Sequence, residues 1–229
     1  MKIGTKSVLY GAHCFFIHPW FVALAWFRLF GFASVKDSYL GHVSLWDWRL
    51  WLVFAIHDLG YWGLPNMDGE EGELHPEWAA YKLRRWLWKL DPRHNSPIML
   101  ERLRCVRDVE KWAKFCQYHS RFLSKADGQP YSMLCVADKL AVALEPWWLY
   151  LPRVIATGEI EEYMALADAR TEAGEPKYAT MNVYSSVRRE WFDNVCEYLR
   201  RWVEEHKDGR QDTWTPEMRT AKDSTGCWQ

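Results

Sequence analysis

An all-α fold is predicted by two features of the sequence. Long apolar and amphipathic segments are separated by clusters containing Gly and Pro, and no run of period-two alternation bounded by turn residues occurs. The composition agrees: 49% hydrophobic and 26% charged residues are the balance of a globular chain, and 229 residues suffice for one domain with an appendage that folds without disulfides or metal.

Taken in order, Thr5–Gly31 is apolar nearly all round and reads as a central helix, with Gly31 where a C-cap belongs. Phe32–Val43 reads as a loop. Leu45–Leu59 is a second apolar segment and ends in His57-Asp58-Leu59-Gly60. Tyr61–Leu74 is an acidic loop, after which Pro76 fits the first turn of a helix reaching Leu90. Asp91–Pro97 breaks that helix, and Ile98–Phe122 is long and amphipathic. After a turn at Ala126–Pro130, Tyr131–Leu144 is an apolar helix stopped near Pro146. Weaker helical stretches follow at Trp148–Ala156, Glu159–Asp168 and Val183–Glu205. Lys207–Gln229 is polar and reads as a poorly ordered tail. The expected organisation is a core over residues 1–170, a helical extension packed on it over 171–206, and the tail over 207–229.

Several function classes drop out. A net charge of −1, from 29 basic and 30 acidic residues, argues against a general nucleic-acid surface. The apolar run Cys14–Phe30 contains His18, Pro19 and Arg28, so a buried helix is expected rather than a membrane partner. No secretory signal is read, and the six scattered Cys lack a Cys-x-x-Cys pair; reduced thiols in a cytoplasmic protein are the expectation. Phosphate loops, nucleophile elbows and dinucleotide fingerprints are missing. The 16 Trp must partly lie near the surface, where a ring can line a pocket.

The histidines carry the chemistry. His57 and Asp58 emerge together where an apolar helix meets a loop. Neighbouring helical residues point about 100° apart, so the pair holds one ion only if other helices complete the shell. His18, in the first apolar helix, and Asp138, in a late one where a carboxylate is costly unless paired or metal-bound, are the candidates. His75 and His119 could serve a second ion. His13 and His42 fit no ligand pattern and read as core residues. The loop Asp68–Glu73 reads as a solvated lid, one carboxylate of which could assist a metal-bound water.

His18 with Val22-Ala23, then Ala55-Ile56-His57-Asp58-Leu59-Gly60, then Val136-Ala137-Asp138-Lys139-Leu140 resemble the HD-domain metal-dependent phosphohydrolase superfamily over about residues 7–150. His75-Pro76 and Tyr118-His119 resemble the additional ligands of its dinuclear subgroups. The resemblance implies an HD-type helical bundle. Its shell would be His18, His57, Asp58 and Asp138 on one ion, with Asp58 bridging to a second held by His75 and His119. Two features depart from the pattern: Tyr61 stands where many members have Lys, and Tyr118 where some have a first His.

A divalent ion among Mn, Fe, Co, Mg and Zn is the implied cofactor; the donor set does not choose between them. The implied activity is hydrolysis of a nucleotide or other small phosphoester through a metal-bound hydroxide. Asp58, Lys139 and Arg121 are the expected catalytic residues, and Arg84 and Arg85 are more distant candidates for a phosphate clamp. A dinuclear-iron oxygenase and a non-catalytic nucleotide sensor are the alternatives, and the sequence is compatible with a homo-oligomer.

Overall fold

The computed structural model describes residues 1–67, 71–172 and 187–215. The fold is all-α: α1 (Ile3–Tyr10), α2 (His18–Phe30), α3 (Trp48–Ile56), α4 (His75–Leu90), α5 (Met99–Gln117), α6 (Arg121–Ala126), α7 (Met133–Leu144), α8 (Trp147–Thr157), α9 (Glu159–Glu172) and α10 (Arg188–His206). The strands described are a hairpin of β1 (Val35–Asp37) and β2 (Gly41–Val43), antiparallel with Val35 opposite Val43.

Helix ends follow local chemistry. Pro19 and Pro76 sit in the first turns of α2 and α4, where their missing N–H costs nothing. Asp47 caps α3 by accepting from the Arg49 N–H at 3.0 Å, and Ser120 caps α6 by accepting from the Leu123 N–H at 3.2 Å. Helix α7 is the hub, with Leu134, Cys135, Val136 and Ala137 buried. It packs against α2 on one side and α10 on another, while α4 pairs with α5. Trp26 of α2 meets Phe54 of α3 and Phe115 of α5, tying the two halves together.

Four expectations are corrected. The segment Thr5–Gly31 is two helices rather than one, because the chain turns at Gly11. A Cβ there would lie 1.8 Å from a carboxylate oxygen of Glu159, so only glycine allows that close approach. The long helix read over Ile98–Phe122 ends at Gln117 and restarts at Arg121, leaving His119 in the break. The loop Phe32–Val43 holds the hairpin, whose Asp37 is buried and accepts from the backbone N–H of Tyr39, Leu40 and Met133 at 2.8, 3.1 and 2.9 Å. Finally, residues 207–215 fold back on the bundle: Trp214 is buried and donates to Glu205, and Lys125 donates to the Thr215 carbonyl.

Residues 216–229, 173–186 and 68–70 lie outside the described residues, and with them most of the expected tail, the start of the Val183–Glu205 helix and the first half of the expected lid. Among the described residues, Cys14, Cys105, Cys116, Cys135 and Cys196 are buried free thiols. No described helix is long and apolar enough to cross a membrane.

Candidate metal centre

Six residues from five places in the chain converge in the bundle interior. His18 opens α2, His57 and Asp58 follow the last turn of α3, His75 opens α4, His119 lies between α5 and α6, and Asp138 lies within α7. All six are buried.

The backbone orients three of the imidazoles. The Nδ1–H of His57 donates to the Phe54 carbonyl at 3.0 Å, that of His75 to Gly72 at 2.7 Å, and that of His119 to Cys116 at 2.6 Å. Each acceptor is three residues earlier, in a turn or at a helix end, and the carbonyls of Gly72 and Cys116 also accept the backbone N–H of His75 and His119. A carbonyl can only accept, so Nδ1 carries the proton and a neutral ring turns its bare Nε2 inward. Gly60 lets the turn after Asp58 meet the start of α4, since a Cβ there would lie 1.8 Å from the His75 carbonyl oxygen.

Asp58 divides its two oxygens between two groups. Oδ2 lies 3.3 Å from His18 Nε2 and 3.1 Å from His57 Nε2. Oδ1 lies 3.6 Å from His75 Nε2 and 3.4 Å from His119 Nε2. Asp138 Oδ1 completes the first group, 2.9 Å from His18 Nε2 and 3.6 Å from His57 Nε2. Ligands held at about 2.1 Å stand about 3.0 Å apart at the corners of an octahedron and about 3.4 Å apart in a tetrahedron. The observed separations fall at these spacings.

Two tests indicate that the residues fit a cation. His57 Nε2 and Asp58 Oδ2 are buried and make no hydrogen bond, although they are 3.1 Å apart, and His18 Nδ1 is buried without a partner as well. The Nε2 atoms of His75 and His119 face each other at 3.1 Å while both Nδ1 atoms donate elsewhere. Two bare lone pairs at that distance repel unless a proton or a cation lies between them. Burial depresses the pKa of His75 to about 4, which disfavours the proton. The buried His/Asp clusters, His18, His57, Asp58 and Asp138 on one side and Asp58, His75 and His119 on the other, can therefore bind metal.

Electrostatics point the same way. Burial opposes ionisation of Asp58 and Asp138, but the imidazoles around Asp58, and Lys139 beside Asp138, outweigh it and hold both pKa values well below the usual carboxylate range. Burial also opposes protonation of His57, yet the neighbouring carboxylates of Asp58 and Asp138 raise its pKa to about 10. Positive charge is favoured in the half of the cluster that holds His57.

Around the cluster is a cavity of about 160 Å³ whose wall includes Asp58, His75, His119, Asp138, Arg121 and Lys139. Lys139 Nζ lies 3.0 Å from Asp138 Oδ2, and Arg121 donates to the Tyr198 hydroxyl at 3.0 Å. Arg84, by contrast, is engaged with Glu110 at 2.8 Å, and Arg85 donates to Tyr81 on an exposed face; neither lines this cavity. Tyr61 lies flat on His75, ring centroids 3.7 Å apart, and so steadies the ring.

The chain shows no significant match to any protein-family model, curated protein or solved structure. The capacity of the cluster to bind metal therefore rests on its own geometry.

Sequence reasoning did not single out Glu73 or His13, both of which belong to the wall. Glu73, from the expected solvated lid, is buried, and Ser120 Oγ donates to its Oε2 at 3.2 Å. His13, read as a core residue, also lines the cavity. His42, the other histidine read as core, is exposed on the hairpin. Glu73 was hidden in an acidic run, and the position of His13 depends on residues far away in the chain.

Proposed function

We propose that the chain is an HD-type metal-dependent phosphohydrolase that acts on a nucleotide or other small phosphoester. The observation that carries the reading is the division of Asp58 between two buried histidine groups beside a cavity that also presents Lys139 and Arg121. In this reading His18, His57, Asp58 and Asp138 hold one divalent ion, and Asp58, His75 and His119 hold a second. When bound, such ions lower the pKa of water and neutralise charge on phosphoryl oxygens.

The chain's own residues supply the rest. Lys139 and Arg121 present cations to the non-bridging oxygens of a phosphoryl group entering the cavity. Lys139 is kept protonated by the adjacent Asp138 carboxylate, which outweighs the cost of its burial. Glu73, whose Oε2 accepts from Ser120, adds a carboxylate to the wall. The Nδ1–H···O=C bonds of His57, His75 and His119 keep the donor atoms in place between turnovers.

The test is phosphate release from a panel of nucleotides and simple phosphomonoesters with Mn²⁺, Co²⁺ or Fe²⁺ supplied. Turnover that requires the metal is expected. No product with any metal overturns the reading, and oxygen consumption with a mixed-valent iron signal would transfer the site to oxygenase chemistry.

A further inference from the structure

The cluster cavity adjoins a second compartment of about 170 Å³, formed by α8, α9, α10 and the turn after α1. His13, Tyr61, Arg121, Lys139, Val142 and Leu199 line both spaces. Beyond them the second compartment is walled by Tyr150, Tyr163, Trp191 and Val195, so aromatic side chains dominate this part of its wall. The hydrolytic reading uses Arg121 and Lys139 at the near edge of this compartment and none of the residues beyond them.

His13 stands at the junction, and a buried relay fixes it there. Glu159 and Ser7 are both fully buried. Ser7 Oγ donates to Glu159 Oε2 at 2.7 Å and therefore accepts from His13 Nδ1, 3.0 Å away. Glu159 is itself held by the Ala12 N–H at 3.3 Å, by the Thr157 hydroxyl at 2.5 Å and by the Tyr163 hydroxyl at 3.1 Å. A carboxylate is rarely placed so deep without a task. Here it reaches across 152 residues to set the tautomer of one histidine. With Nδ1 turned to Ser7, His13 Nε2 makes no hydrogen bond among the described residues, on a ring that lines both compartments.

Resting on the phosphohydrolase reading, we propose that the second compartment is the subsite for the organic part of the substrate. The substrate class is a phosphoester of a single hydroxyl-bearing ring, and His13 Nε2 accepts the hydroxyl's hydrogen bond. Size sets the first half of this assignment: a protein cavity of about 150 Å³ accommodates one benzene ring, and the compartment is about 170 Å³. Aromatic walls suit the face of a ring, and a bare, fixed acceptor at the entrance selects a donor on that ring.

Phenylphosphonate and 3-hydroxyphenylphosphonate, which cannot be hydrolysed, test the subsite apart from turnover. Each is titrated calorimetrically into the full chain loaded with Mn²⁺, with metal content measured in every variant. Tighter binding of the hydroxylated compound by about tenfold is expected from one added hydrogen bond. His13→Phe should collapse that preference, Ser7→Ala should weaken it by releasing the ring, and Val195→Trp should abolish binding of both compounds while inorganic phosphate still binds. Equal affinity for the two phosphonates in the wild-type protein overturns the proposal. So does a preference that survives both His13→Phe and Ser7→Ala, or failure of both compounds to bind a protein that hydrolyses nucleotides. A hydroxyl preference without release of phosphate from the matching phosphates or from any nucleotide supports the subsite and overturns the hydrolase reading instead.

Discussion

Replacing Asp58 by Asn keeps the shape of the side chain and removes the charge shared by the two histidine groups. In the wild-type chain Oδ2 stands 3.1 and 3.3 Å from His57 and His18, and Oδ1 stands 3.4 and 3.6 Å from His119 and His75, so one substitution strikes both halves of the centre. Metal-free protein should lose some stability at neutral pH, because protonated His57 is left with Asp138 as its remaining carboxylate partner. The response to metal is where the two proteins part. An ion supplied at a hundredfold excess over its Kd stabilises the wild type by about 2.7 kcal/mol. For a chain of this size that raises Tm by roughly 5–11 °C. The variant should show no rise at the same metal concentration and at least a hundredfold loss of turnover. Thermal melts with and without Mn²⁺, combined with elemental analysis, read both quantities. A variant that is unfolded without metal would make Asp58 a packing residue. A variant that still gains the full shift would place the ion elsewhere.

Other perturbations separate the parts. His75→Ala or His119→Ala should remove one metal equivalent and most of the turnover while His18, His57 and Asp138 retain the other; elemental analysis that finds stoichiometry unchanged defeats the two-ion assignment. His57 has a folded-state pKa of about 10 against an ordinary value of 6.5, so its protonation stabilises the metal-free fold fully below pH 6.5 and is lost as pH rises through 10. Denaturant melts from pH 7 to 10.5 should show that alkaline loss without metal and little of it with metal, because the ion replaces the proton; identical slopes contradict the linkage. Lys139→Met should lower kcat/KM by roughly ten- to hundredfold, the worth of a charge-assisted hydrogen bond, with metal content intact; loss of metal would assign Lys139 to holding Asp138. Trp202, fully buried and stacked on His206 at 4.5 Å, anchors α10. Trp202→Ala should cost about 3–5 kcal/mol in urea unfolding, and a cost below 1 kcal/mol would mean that α10 is not part of the cooperative core.

What the sequence revealed of the centre, and what it hid, has one physical origin. His57, His75 and His119 stand three residues after carbonyls in a turn or at a helix end, and those carbonyls accept from their Nδ1–H groups. Such a histidine is visible in a sequence as a polar residue at the edge of an apolar segment, and the pattern survives even where the boundary is misjudged, as with the break at Tyr118–Ser120. Asp138 is visible for the opposite reason: a carboxylate in the middle of an apolar helix has no cheap explanation. His13 offers neither signal. Its orientation depends on Ser7 six residues earlier and on Glu159, which reaches the turn only because residue 11 has no side chain. The same carboxylate accounts for the one long helix being two: it accepts from the Ala12 N–H exposed by the turn, a donor that a continuous helix would have used internally. Residue types at helix ends thus announce a metal centre locally, whereas the wall that would choose a substrate is assembled from contacts across 147 and 152 residues, which no local periodicity records.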